Sequence, residues 1–93
     1  MKFSDLEWKK LDSSKCKELP KKAGVYILLD ELGDILYVGQ SMSLFRRLKP
    51  SHSFLKMASI IVYSVCNHYD RLELEKMAIR NYQPRYNINL YST

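Results

Sequence analysis

A carboxylate at position 75 stands out by the company it keeps. From Asp70 to Tyr82 apolar residues recur at helical spacing. At about 100° per residue, Leu74, Ala78, Tyr82, Ile79 and Leu72 form one continuous stripe. Glu73, Lys76 and Arg80 fall on the opposite side, while Glu75 projects into the stripe between Tyr82 and Ile79. Burying an unpaired carboxylate costs several kcal/mol, so Glu75 needs a partner. An arginine, a metal ion or a proton held at raised pKa would each serve. The first is ordinary structure; a carboxylate at the edge of a cleft is the reading that carries chemistry.

Two tyrosines form the second feature. Tyr26 and Tyr37 lie in facing runs, Val25–Leu29 and Ile35–Val38, joined by Asp30-Glu31-Leu32-Gly33-Asp34. If Asp30 pairs with Ile35, Tyr26 stands beside Gly39 and Leu28 beside Tyr37, and both phenols project to one side. Gly39 then leaves room beside Tyr26 for a ligand. Tyrosine is also simply favoured in strands, and this chain has seven.

Charge is distributed unevenly. The 93 residues carry a net +5. Residues 1–34 are neutral, whereas residues 35–69 hold Arg46, Arg47, Lys49 and Lys56 and no acidic side chain. An acid-free basic stretch suits a polyanion, nucleic acid above all. Other classes are excluded. No apolar run approaches the ~18 residues of a membrane span. The N-terminus lacks the apolar segment of a signal peptide. Cys16 and Cys66 form neither a zinc site nor a disulfide framework, although His68 follows Cys66 closely. The expectation is an intracellular, cytoplasmic chain without a membrane partner.

These groups need elements to hold them. Ser4-Asp5-Leu6-Glu7 fits a capping box and predicts a short helix to about Leu11, with residues 1–18 as this helix plus a connecting segment. The two tyrosine strands predict a hairpin. Ser41 or Ser43 caps a helix through Leu48 that Pro50 stops. Residues 51–58 read as a loop or ragged turn, and Ile60–Val65 as a third, β-branched strand. A long helix starts at His68 or Asp70, ends near Tyr82 before Pro84, and leaves a tail that adds a short extended piece. The sum is a small α+β domain with a three-stranded antiparallel sheet flanked by helices.

Gly24-Val25-Tyr26 and Tyr37-Val38-Gly39 resemble the two signature tripeptides of the GIY-YIG endonuclease domain, with valine for isoleucine in both. Further elements follow in family order: Arg47 ten residues after Tyr37, Glu75 four before Ile79, and Pro84-Arg85-Tyr86-Asn87 as Pro-x-Tyr-Asn. Leu19-Pro20 adds a likeness to the nuclease domain of the bacterial excision-repair endonuclease. The resemblance covers residues 19–88, so residues 19–93 are expected to form the nuclease-like domain. Two departures stand out. Gln40 replaces the lysine of the excision-repair branch. Ser51 takes the position of the histidine of other branches, with His52 one further on.

The resemblance implies metal-dependent hydrolysis of DNA phosphodiester bonds. Tyr26 would be the general base, Tyr37 would position water or a phosphate oxygen, and Arg47 would stabilise transition-state charge. Glu75 would hold one Mg²⁺ or Mn²⁺, and Asn87 would hydrogen-bond near the site or brace it. Gly39, Gln40, Arg46, Lys49, His52 and Lys56 are the expected nucleic-acid contacts. Arg46 projects about 100° from Arg47, toward DNA backbone or solvent. Two other readings stay open: a catalytically silent nucleic-acid-binding module, and a nuclease subunit that borrows DNA recognition from a protein partner or works as a homodimer.

Overall fold

Residues 6–87 are described by a computed structural model. The sheet has four antiparallel strands, β1 (Lys9–Asp12), β2 (Gly24–Leu29), β3 (Ile35–Ser41) and β4 (Ile60–Val65), in the order β1-β4-β2-β3. The α+β class is as expected, but the strand count is four rather than three. The extra strand replaces the expected N-terminal helix. Residues 6–8 are irregular, and Lys9–Asp12 pairs with Tyr63–Ile60 at the sheet edge. Of the capping box only Leu6 and Glu7 lie within the described residues. A local capping pattern does not decide between helix and strand when β4 supplies a backbone partner some fifty residues away in sequence. Residues 9–12 therefore belong to the same sheet as the tyrosine hairpin.

The β2–β3 hairpin has the expected register at Tyr26–Gly39 and Leu28–Tyr37. The register then shifts, and Leu29, not Asp30, stands opposite Ile35. Asp30 instead organises the loop. Its carboxylate accepts the Leu32 and Asp34 amides, each at 2.9 Å. Gly33 adopts φ 86°, where a side chain would be strained. The irregularity puts Leu36 and Tyr37, neighbours in sequence, into the same hydrophobic cluster, which strict alternation forbids.

The sheet buries both faces. On one lie Tyr26, Leu28, Leu36 and Ile61, covered by Cys16, Leu19, Leu44, Leu48 and Leu55. Leu44 belongs to the short helix α1 (Leu44–Arg47), capped by the Ser43 hydroxyl, which accepts the Arg46 amide. On the other face Val25, Ile27 and Val38 meet Leu74, Ala78 and Ile79 of α2 (Arg71–Tyr82). Leu72 and Tyr82, expected in the apolar stripe, are 50% and 45% exposed. The buried seam is narrower than the sequence suggests, and Glu75 lies half-buried at its rim. Residues 85–87 form a 3₁₀ turn, and the rest of the tail expected to hold an extended piece lies outside the described residues. No helix among the described residues is long and apolar enough to cross a membrane.

Candidate active site

Tyr26 stands at the centre of the site. It is only 1% exposed, on the face of β2 covered by α1, and its ring lies across Gly39 of the edge strand. A Cβ at position 39 would collide with the Tyr26 ring and its hydroxyl oxygen. The space that Gly39 opens is thus filled by Tyr26 itself, not held for a ligand. Glycine at 39 lets a buried phenol reach the sheet edge.

Three groups surround the phenol. Arg47, from the end of α1, faces both tyrosines, and their phenol oxygens raise its pKa. The Tyr37 ring lies 6.2 Å from that of Tyr26. His52 Nε2 lies 3.3 Å from the Tyr26 oxygen. The Phe54 amide donates to His52 Nδ1 at 3.2 Å. Nδ1 is therefore an acceptor, and a neutral ring carries its proton on Nε2 and donates it to Tyr26. Burial and the nearby Arg47 charge both lower the His52 pKa, which favours this neutral form. Tyr26 thus accepts from His52, with the Arg47 charge beside it. Burial nevertheless dominates and pushes its pKa up to about 12; Arg47 pulls it down, and Tyr37 and Glu75 push it up.

Glu75 reaches the same edge from the other face of the sheet. Burial raises its pKa, while Arg71, Arg47 and the backbone amide of Gln40 favour the charged form. Its position at the rim of the α2 seam puts one carboxylate near enough to the phenol cluster to act on Tyr26. Among the described residues no three His, Cys, Asp or Glu side chains cluster for a metal. That donor set fits a hard cation that keeps most of its water, not an all-protein cage.

Arg46, Arg47, Lys49, His52 and Phe54 line a cavity of about 330 Å³ with Tyr37. Arg46 therefore shares the cavity with Arg47 rather than turning away from it. Lys56 is not brought there. It borders other depressions, one shared with Asp30 and Glu31. Asn87 is buried, with its carboxamide on the backbone of β3. Its Oδ1 accepts the Val38 amide at 2.9 Å and its Nδ2 donates to the Val38 carbonyl at 3.0 Å. The side chain acts as one more strand residue on the open edge of β3, beside Tyr37. Gln40 accepts a hydrogen bond from Arg71 Nη1. Sequence reasoning does not select Arg71, since a basic residue in the first turn of a helix is an ordinary surface feature. Nor does it select Phe54, which packs between Tyr37 and Tyr86 at ring distances of 4.7 and 4.8 Å.

The family model of the UvrC-like GIY-YIG domain matches residues 22–88. UvrABC system protein C of Mycoplasma pneumoniae is 34% identical over 86 residues, covering 82% of this chain and 15% of that protein. Its counterpart in Treponema denticola is 37% identical over 81 residues, covering 76% of the chain and 12% of that protein. The chain spans about one seventh of the length of these relatives. Among solved structures, the magnesium-bound GIY-YIG N-terminal endonuclease domain of UvrC from Thermotoga maritima superposes with a TM-score of 0.66. It is 28% identical, covering 80% of this chain and 92% of that one. The edge-strand tyrosine cluster and the single carboxylate are thus set on a known nuclease scaffold, and the chain belongs to the UvrC-like branch of the GIY-YIG endonuclease family.

Proposed function

We propose that this domain hydrolyses DNA phosphodiester bonds with one divalent cation, Mg²⁺ or Mn²⁺, held by Glu75. The observation that carries the proposal is the buried Tyr26 phenol with the His52 ring on its oxygen and the Arg47 charge beside it. A hydrogen-bond donor and a nearby cation both stabilise a phenolate. Tyr26 first gives its own proton to solvent. The resulting phenolate takes a proton from the attacking water and returns to the phenol, the water oxygen bonds to phosphorus, and the leaving oxygen departs and is protonated from solvent. Tyr37 orients the water or a phosphate oxygen. Arg47 lends its fork of donors to charge that builds on the phosphoryl oxygens. The cation supplies positive charge that neutralises the phosphate and lowers the phenol's pKa from its resting value. Asn87 is a positioning residue that pins the strand bearing Tyr37. Arg46 and Lys49 contact DNA backbone.

Plasmid nicking in Mg²⁺ tests the reading. Tyr26→Phe and Glu75→Ala are each expected to lose about 10²–10⁴-fold of the wild-type rate. Equal nicking by all three proteins would sink the mechanism. An inert wild type that binds DNA in a salt-sensitive way would make the chain a silent binding module. The chain's small share of its relatives' length favours a further reading, in which substrate choice comes from other domains or a partner protein.

A further inference from the structure

We propose that Arg71 is a second DNA-phosphate ligand, aimed by Gln40, on the side of the site opposite Arg47; the inference rests on the nuclease reading above. Arg71 opens α2, and its guanidinium is held twice. Nη1 donates to Gln40 Oε1, and Nε donates to His68 Nδ1 at 3.2 Å. Gln40 directly follows Gly39, the residue that Tyr26 crosses. The bond to Gln40 therefore ties Arg71 to the edge strand within one residue of the phenol. Both acceptors, an amide oxygen and an imidazole nitrogen, lack negative charge, and neither takes up the arginine's charge. Three of its five N–H groups are not used on Gln40 or His68, and the side chain is only half-buried.

Arg71 is the strongest charge influence on Glu75, one turn along α2. With a cation on Glu75, the guanidinium is left for another anion. A planar fork of N–H donors suits a phosphodiester. Arg46, Arg47 and Lys49 lie on the α1 side of the sheet, and Arg71 lies on the α2 side. The two groups together make a basic track across the Gly39–Gln40 edge. A strand laid along it would set the scissile phosphate at Arg47 and a neighbouring phosphate at Arg71. Gln40 then does for this chain what a basic residue at position 40 would do directly: it stations a cation there.

The salt dependence of binding to a labelled DNA duplex, measured with Mg²⁺ in a Tyr26→Phe background, reads this with cleavage suppressed. Each phosphate contact adds about −0.9 to the slope of log K against log salt. Arg71→Gln is expected to make the slope shallower by about 1, and Arg71→Lys to keep it. The double variant Gln40→Lys, Arg71→Gln is expected to restore it, because an ammonium then stands where the guanidinium was. Arg80→Gln, on the exposed face of α2, should change nothing. An unchanged slope in a folded Arg71→Gln protein overturns the proposal, even if its Mg²⁺ requirement for nicking shifts, since Arg71 would then serve Glu75 alone. Failure of the double variant to restore the slope overturns the role of Gln40. An inert wild type with the slope change intact would instead sink only the nuclease reading.

Discussion

In the proposed mechanism Tyr26 serves as a base from almost complete burial, and the conflict is visible in its surroundings. Burial favours the neutral phenol, whereas Arg47 and His52 favour the phenolate. With a pKa of about 12, almost none is ionised at neutral pH, and the cation proposed at Glu75 would shift the balance. Glu75 shows the complementary cost. Its pKa is raised in the folded chain, so its contribution to stability is intact below the ordinary carboxylate range and is lost as pH rises through the folded value. Glu75→Gln keeps an acceptor for the Gln40 amide and removes the buried charge. In EDTA at pH 7 it is expected to raise Tm by a few degrees and to abolish nicking in Mg²⁺. The Tm advantage should vanish near pH 4, where wild-type Glu75 is itself protonated. Thermal scans at the two pH values check this; an unchanged or lower Tm at pH 7 would contradict it. Glu75 is legible in sequence because a carboxylate beside an apolar seam is a local anomaly. Arg71 is not, because its meaning depends on Gln40, thirty-one positions away.

At the scale of elements, β3 carries most of the burden. It is an edge strand, and its free side is closed at Val38 by the Asn87 carboxamide. Asn87→Ala leaves the buried Val38 amide and carbonyl without that partner. It is expected to cost about 1–3 kcal/mol in denaturant unfolding and to reduce nicking through a displaced Tyr37. Asn87→Asp is expected to do no better, because it keeps the acceptor but turns a second oxygen toward the Val38 carbonyl. Wild-type stability in either variant would remove Asn87 from this role. The hairpin register is readable beforehand because Tyr26, Leu28, Tyr37 and Gly39 fix which faces meet. The shift between Leu28 and Leu29 is not readable, since it follows from the Asp30 side chain folding the loop onto itself. β1 is hidden for another reason. Lys9-Lys10-Leu11-Asp12 shows no alternation, is mostly exposed, and becomes a strand only through β4.

Across the whole molecule, the basic residues that meet at the tyrosine edge are Arg46, Arg47 and Lys49 on one face and Arg71 on the other. Four such contacts predict a salt slope near −3.6 for duplex binding, or roughly a hundredfold loss between 50 and 200 mM salt. Lys56→Gln should leave that slope unaltered, since Lys56 borders depressions shared with Asp30 and Glu31 instead. A slope that fell by about 1 in Lys56→Gln would extend the DNA footprint to the far end of the sheet. The charge run from 35 to 69 is plain in the sequence, but its division is not. Lys56 leaves the site because the turn after Pro50 carries it toward the hairpin loop.

The Asn87 clamp also sets an order of events in synthesis. Val38 and Asn87 are 49 residues apart, and a ribosome delivers the N-terminal partner first. Tyr26, Tyr37, Arg47 and Glu75 all emerge while the β3 edge is still unlatched. The last of the proposed site residues to be translated is the one whose side chain binds strand backbone. A growing chain therefore carries the others in an unfinished frame, and the proposed cutting competence arrives only when the domain is nearly complete.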